Sequence, residues 1–91
     1  MRRISVFGST GSIGENTLDL LTPGAVHIVA LSGGRQVDRL AAQARRFDAD
    51  IAVTAYPDCY AALKDALSGT RTEVAAGPEA VAEAADRQAD W

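Results

Sequence analysis

The stretch that decides the fold is RISVFGSTGSIGENTLDLL, residues 3–21. A short apolar run at residues 3–7 predicts a β-strand, and the apolar positions that follow residue 12 recur at helical spacing. Between the two lies a turn with glycine at every third position, Gly8, Gly11 and Gly14. A glycine-rich turn between a strand and a helix is typical of a site that binds the phosphates of a dinucleotide.

Each glycine of this turn has a predicted physical role. Gly8 permits the tight turn out of the strand, Gly11 lets the backbone approach a pyrophosphate, and Gly14 lets the helix pack closely on the sheet. Hydroxyl side chains and the unpaired N–H groups of the first helical turn add donors for an anion. A plain loop that merely caps the helix is the weaker alternative, since the turn directly follows a strand. The predicted phosphate-binding residues are Gly8, Ser9, Thr10, Gly11, Ser12, Ile13 and Gly14.

The rest of the chain alternates short apolar runs with longer amphipathic ones, which predicts parallel strands joined by crossover helices. Further strands are predicted at residues 27–31, 51–54 and 73–76, and the last helix at residues 79–87. Asp90 and Trp91 look like the first step of a fifth strand. We therefore predict an α/β fold of about four strand–helix units with a Rossmann-like parallel sheet. Because that sheet would be incomplete, residues 1–91 are predicted to be the N-terminal part of a dinucleotide-binding domain.

Two helices have marked apolar faces. After Gly33-Gly34, a helix is predicted to bury Val37, Leu40, Ala41 and Ala44. In the next helix Pro57 lies near the first turn, where its missing N–H costs nothing. A single face of that helix is predicted to carry Tyr56, Tyr60, Leu63 and Leu67.

Composition and charge limit the class of protein. With 47% hydrophobic and 23% charged residues, the chain is typical of a soluble globular domain. The net charge of -3 has the wrong sign for binding a nucleic acid by bulk electrostatics. The single cysteine, Cys59, allows no intrachain disulfide, and no apolar run is long enough for a signal peptide or a membrane span. We predict a cytoplasmic protein with no membrane and no nucleic-acid partner.

The end of the second strand bears on the choice of dinucleotide. NAD-specific folds place an acid there to bond the ribose hydroxyls, whereas this chain has Ser32, Gly33, Gly34 and Arg35. A guanidinium can bind the 2′-phosphate of NADPH in bidentate fashion. Arg35 therefore favours NADPH, with a solvated charge at a helix terminus as the alternative interpretation.

Other polar residues are predicted to be structural. His27 has no acidic neighbour in the sequence, Arg45 and Arg46 fit a solvated helix face, and Glu83 and Arg87 have the spacing of a helical salt bridge. No nucleophile–base pair and no metal-ligand set can be read from the sequence. We therefore predict no catalytic and no metal-binding residue in this chain.

Taken together, the motifs resemble the N-terminus of the 1-deoxy-D-xylulose 5-phosphate reductoisomerase family. The resemblance spans essentially the whole chain. The matching residues are Gly8 to Gly14, Thr17-Leu18-Asp19, Ala30 to Arg35, Gln43 to Phe47, Glu73-Val74, Gly77 and Ala89-Asp90-Trp91.

The resemblance implies an enzyme that rearranges and reduces a deoxyxylulose phosphate with NADPH and a divalent metal, Mn²⁺ or Mg²⁺, in isoprenoid precursor synthesis (the MEP pathway), as a homodimer. By the same resemblance, the metal-binding acids, the catalytic loop and the sugar-phosphate site lie beyond the position of Trp91, so the chain alone is expected to be inactive. The family's NADPH-binding positions correspond to Thr10, Gly11, Ser12, Ile13, Gly34, Arg35 and Gln36. The family more often has Asn at the position of Gln36. The strand-end sequence adds Ser32 to the predicted cofactor-binding residues.

Two other functions agree with the same motifs. One is the start of another NADP-dependent dehydrogenase with a G-x-x-G-x-x-G turn, and the other is a freestanding nucleotide-binding module. The second requires a last helix that closes the domain with polar, capped ends.

Overall fold

The structure, a computed structural model, describes residues 2–87 and 89, with every side chain among them except those of Ser12 and Ile13. Strands and helices alternate along the chain as the sequence predicts. The strands are β1 (Arg2–Val6), β2 (Val26–Gly33), β3 (Ile51–Thr54) and β4 (Glu73–Ala76), and the helices are α1 (Ser12–Asp19), α2 (Val37–Phe47), α3 (Tyr60–Ala66) and α4 (Pro78–Ala85). A short 3₁₀ turn, Pro57–Cys59, precedes α3. The predicted fifth strand at Asp90 and Trp91 lies outside the described residues.

The strands form one parallel sheet in the order β1-β2-β3-β4. The first three strands therefore have the 3-2-1 neighbour order of a dinucleotide-binding fold, while β4 lies outside β3 and not beside β1. The register of β1 against β2 shifts between Ile4 and Ser5. The prediction of a Rossmann-like parallel sheet is confirmed.

The core has one layer on each face of the sheet. The connections from β1 to β4 each add the next strand on the same side of the previous one. Because such crossovers are right-handed, their helices α1, α2 and α3 lie on the same face of the sheet. Their buried side chains Leu18, Leu40 and Leu63 belong to the same apolar cluster. On the opposite face, α4 packs Ala84 with residues of β2 and β3 such as Val29 and Val53. Truncating a fully buried leucine in such a core costs about 2–5 kcal/mol.

The prediction for the tyrosines before and in α3 is wrong. Leu63 and Leu67 are buried, but Tyr56 and Tyr60 are 42% and 38% exposed. The helical face breaks because α3 begins only at Tyr60, after the 3₁₀ turn Pro57–Cys59. Tyr56 therefore lies before the helix, near the end of β3, where it is free to contact a neighbouring loop.

An ion cluster lies near the amino-terminal ends of β2 and β3. His27 Nε2 is 2.8 Å from Asp50 Oδ2, so the histidine does have an acidic neighbour, 23 residues away in the sequence. Arg71 donates from Nη1 to Asp50 Oδ1 at 3.0 Å and from Nε to Asp48 Oδ2 at 2.9 Å. The neighbouring sequence does not reveal this partner because Asp50 comes from the neighbouring strand–helix unit, and the interpretation of His27 as a structural residue agrees with the ion pair.

Two arginines also have partners that sequence spacing does not predict. Arg45 donates hydrogen bonds to the carbonyl oxygens of Ala66 and Ser68, at the carboxyl end of α3 where such carbonyls lack helical partners. Arg87 lies beyond the last residue of α4 and contacts Glu73 of β4 at 3.4 Å. Arg45 is exposed, as predicted for a solvated face, although it also contacts α3. The helical salt bridge predicted between Glu83 and Arg87 is replaced by the contact of Arg87 with Glu73.

Candidate dinucleotide site

The glycine turn is held against the end of β2 by backbone hydrogen bonds. Gly8 N donates to Ser32 Oγ at 2.9 Å, and Ser9 N donates to the Ser32 carbonyl at 2.8 Å. Gly8 has φ of +72°, a left-handed conformation that glycine adopts at no steric cost, as its predicted role in the tight turn requires. Ser32 is itself buried, so its side chain supports the turn, and direct contact with a cofactor stays a prediction.

Gly14 is needed for a close approach within the turn. A Cβ at this position would lie 2.3 Å from the Gly8 oxygen and 2.6 Å from Ser9 Cα. Such contacts are not possible without a backbone shift. Gly14 therefore permits a close approach to the turn itself, while the predicted close packing of the helix on the sheet stays a prediction.

Gly11 presents the opposite situation. Its backbone is extended, with φ of -78° and ψ of 169°, and a Cβ would meet only the Gly8 oxygen, at the ordinary contact distance of 3.4 Å. The fold would therefore tolerate a side chain there. The open space in front of Gly11, beside the first-turn N–H groups of α1, is a cradle that a Cβ would fill and that a phosphate can enter.

The hydroxyl side chains of the turn are directed largely into the protein. Ser9 is fully buried and donates through Oγ to the Ser32 carbonyl at 3.3 Å. Thr10 is also buried and packs against Gly33, since a Cβ added to Gly33 would lie 3.2 Å from Thr10 Oγ1. Ser9 and Thr10 therefore anchor the turn to the end of β2. Their contact with a phosphate stays a prediction.

The carboxyl ends of the four strands lie side by side. N–H groups that follow three of the strands donate to carbonyls of the neighbouring strand, from Ser9 to Ser32, from Ala55 to Gly33 and from Gly77 to Thr54. In open parallel sheets this edge is where ligands bind. It brings the glycine turn, Gly34, Arg35 and Gln36 to one side of the molecule.

Thr54 is a supporting residue that sequence reasoning missed. It is fully buried, donates from Oγ1 to the Gly34 carbonyl at 2.9 Å and accepts from Tyr56 N at 3.2 Å. One hydroxyl thus ties the loop after β2 to the loop after β3. Its position as the last residue of a buried strand was the only signal in the sequence.

Arg35 projects from the loop after β2 and is 61% exposed. Its Nη1 donates to Asp58 Oδ2 at 2.8 Å, and its Cζ lies 4.2 Å from the centre of the Tyr56 ring. The hydrogen bond and charge of Asp58 raise the pKa of Arg35, and those of Arg35 lower the pKa of Asp58. Both groups are therefore charged at neutral pH.

Gln36 is exposed at the start of α2, next to Arg35. A shallow cleft of about 330 Å³ is lined there by Arg35, Gln36, Val37, Asp38 and Arg39. Gly34, which precedes Arg35, lies close to Tyr56, because a Cβ added to Gly34 would be 3.3 Å from the Tyr56 ring. The structure thus places these predicted residues together, while the side chains of Ser12 and Ile13 are outside what it describes.

Residues 2–87 and 89 contain neither a metal centre nor a membrane span. No group of at least three His, Cys, Asp or Glu side chains is arranged there to hold a metal ion. No helix in the same residues is long and apolar enough to cross a membrane.

A parallel sheet with a glycine turn at the carboxyl end of its first strand defines a dinucleotide-binding α/β domain of the Rossmann type. Comparison with known proteins narrows this class. The model of the 1-deoxy-D-xylulose 5-phosphate reductoisomerase family matches residues 4–91. The chain belongs to this family.

The similarity extends to named relatives and solved structures. The chain is 58% identical over 95 residues to the reductoisomerase of Cereibacter sphaeroides and 54% identical over 93 residues to that of Ruegeria pomeroyi. Both comparisons cover all of this chain but only 24% of the relative. The chain therefore spans about a quarter of the length of these relatives.

Among solved structures, the reductoisomerase from Zymomonas mobilis in complex with NADPH matches with a TM-score of 0.96 and 46% identity, covering 99% of this chain and 24% of that one. A reductoisomerase in complex with NADPH, fosmidomycin and magnesium matches with a TM-score of 0.89 and 35% identity, covering 99% of this chain and 23% of that one.

Proposed function

We propose that this chain binds NADPH and forms the N-terminal NADPH-binding part of a 1-deoxy-D-xylulose 5-phosphate reductoisomerase. The observation that supports the proposal is that two groups suited to anions, an uncrowded glycine turn and an exposed arginine, lie along one sheet edge. The turn with the open cradle at Gly11 follows β1, and the exposed guanidinium of Arg35 follows β2. A dinucleotide with a 2′-phosphate carries its negative charge in two such places.

Each anion site suits a different part of NADPH. At the turn, the first-turn N–H groups of α1 would bind the pyrophosphate, where the helix dipole also favours negative charge. At the cleft, Arg35 would bind the 2′-phosphate, with the amide of Gln36 beside it as a second donor. When bound, NADPH supplies a hydride for reduction, and the residues of this chain bind and orient it.

For the whole protein we propose the reaction of its relatives, the rearrangement and NADPH-dependent reduction of a deoxyxylulose phosphate with a divalent metal, in isoprenoid precursor synthesis. We also propose a cytoplasmic homodimer that binds no nucleic acid, in keeping with the net charge of -3. The part of the chain that the structure describes offers no set of ligands for the metal. The function that we assign to residues 1–91 is the binding of the dinucleotide.

Paired titrations with NADPH and NADH test the cofactor assignment. Arg35→Ala should weaken NADPH binding by about ten- to a hundredfold, because it removes charge-assisted hydrogen bonds to the 2′-phosphate, and should leave NADH binding nearly unchanged. The loss should shrink at high salt, since the site is exposed. Arg46→Ala is the matched control, because Arg46 is an exposed arginine near the other end of α2. Equal losses for both cofactors in Arg35→Ala would contradict the assignment.

A further inference from the structure

The ion pair between Arg35 and Asp58 is poorly explained by stability. Its two side chains are 61% and 65% exposed, and pairs this exposed contribute little to folding. Asp58 belongs to the 3₁₀ turn Pro57–Cys59 after β3, while Arg35 belongs to the loop after β2. The pair therefore spans the two loops that border the predicted binding site of the 2′-phosphate.

The contact with Asp58 leaves most of the guanidinium available. The structure gives one hydrogen bond between them, from Nη1 to Oδ2, and a guanidinium has five N–H donors in its plane. An incoming phosphate can use the remaining donors, or take the place of the carboxylate at the same edge.

Tyr56 holds the guanidinium by a different surface. Its ring lies under the face of Arg35, with 4.2 Å from Cζ to the ring centre, and stacking of this kind does not use the in-plane donors. Tyr56 is itself positioned by its N–H bond to the buried Thr54 hydroxyl. The cation can therefore stay in place while the anion at its edge is exchanged.

We propose that Asp58 is a specificity-tuning residue, an internal carboxylate that occupies Arg35 in the absence of ligand and is displaced by the 2′-phosphate of a 2′-phosphorylated adenine dinucleotide while Tyr56 keeps the guanidinium in position. The proposal rests on the proposed function, since it assigns Arg35 to that phosphate. Its consequence is that Asp58 lowers the affinity for NADPH, both by competing for Arg35 and by repelling the phosphate. NADH, which lacks the 2′-phosphate, should be indifferent to Asp58.

The test is a set of titrations with NADPH and NADH on the full-length chain. Asp58→Asn keeps the shape and removes the charge, so NADPH should bind about two- to fivefold more tightly and NADH should not change. In a double variant with Arg35→Ala the gain should disappear, because the phosphate then has no cation to compete for. Asp65→Asn, an exposed acid on α3, is the control for net charge.

The outcomes separate this inference from the proposed function. If Arg35→Ala weakens NADPH selectively but Asp58→Asn leaves NADPH binding unchanged or weaker, the displacement is wrong and Asp58 only orients Arg35. The displacement is also wrong if Asp65→Asn gives the same gain, or if the gain survives without Arg35. If Arg35→Ala has no selective effect, the cofactor assignment itself is wrong.

Discussion

The side-chain amide of Gln43 donates a hydrogen bond of 2.8 Å to the backbone carbonyl of Ser9. Gln43 lies on α2, 34 residues further along the chain, so the second helix fixes the glycine turn that follows the first strand. Ser9 is fully buried, so water could not replace Gln43 as the hydrogen-bond donor to the Ser9 carbonyl. The glycine turn is thus held by Ser32 and by Gln43, which contact it from two different elements.

Replacing Gln43 should lower the affinities for NADPH and NADH by the same factor. Gln43→Leu removes the donor and leaves a buried carbonyl unpaired, which should lower the free energy of unfolding by about 1–3 kcal/mol. NADPH and NADH should lose affinity by the same factor, because they share the pyrophosphate. Denaturant unfolding and two titrations measure these effects. A loss confined to NADPH would mean that Gln43 acts on the 2′-phosphate site and not on the turn.

Alanine substitutions at Gly11 and Gly14 should affect different properties, dinucleotide affinity at Gly11 and stability at Gly14. Gly11→Ala should fold with nearly unchanged stability, because its Cβ has room, and should lose dinucleotide affinity by about tenfold or more where that Cβ meets the phosphate. Gly14→Ala should lose about 1–3 kcal/mol of stability, because its Cβ would lie 2.3 Å from the Gly8 oxygen. Circular dichroism, chemical unfolding and NADPH titration of the two variants give the comparison. Unchanged NADPH affinity in Gly11→Ala would remove the basis for the phosphate cradle.

Asp50 should make stability depend on pH. Burial raises its pKa, but the hydrogen bonds from His27 and Arg71 outweigh that effect and hold the pKa below its usual value. A carboxyl with a lowered folded-state pKa stabilises the fold above its unfolded pKa of about 3.9, and this stabilisation is lost as the pH falls through the folded-state pKa.

The measurement is urea unfolding of the parent and Asp50→Asn at neutral and acidic pH. At neutral pH the variant should be less stable by about 1 kcal/mol, and the difference should shrink below about pH 4. Asp65→Asn serves as the control, since Asp65 is an exposed acid on α3. A difference between parent and Asp50→Asn that is constant across this range would show that charge at Asp50 is not what stabilises the cluster.

The 91-residue chain by itself should bind NADPH but not oxidise it with deoxyxylulose phosphate and Mn²⁺. The expectation follows from the lack of a metal-ligand group among the described residues and from the resemblance, which puts the catalytic residues elsewhere in the family's sequence. A spectrophotometric assay against a no-protein blank checks it. Sustained turnover would require a catalytic group that the sequence does not reveal.

Sequence alone was sufficient for the features that depend on neighbours along the chain. The third and fourth strands lie where their apolar runs predict them, at Ile51–Thr54 and Glu73–Ala76, and the helical spacing of Leu40, Ala41 and Ala44 correctly predicts a buried face. The turn after β1 was predictable because glycine spacing, strand and helix are contiguous. Local sterics and hydrophobic periodicity act over a few residues, so they are legible without the fold.

Only the tertiary structure decided which polar groups meet. His27 pairs with Asp50, Arg35 with Asp58 and Arg71 with Asp48, each across 23 residues. In a parallel sheet, equivalent points of successive strand–helix units become neighbours, and that register is set by the packing of the whole sheet. The sequence therefore determined the presence of an arginine at the end of β2, and the fold alone determined that a carboxylate and an aromatic ring hold it.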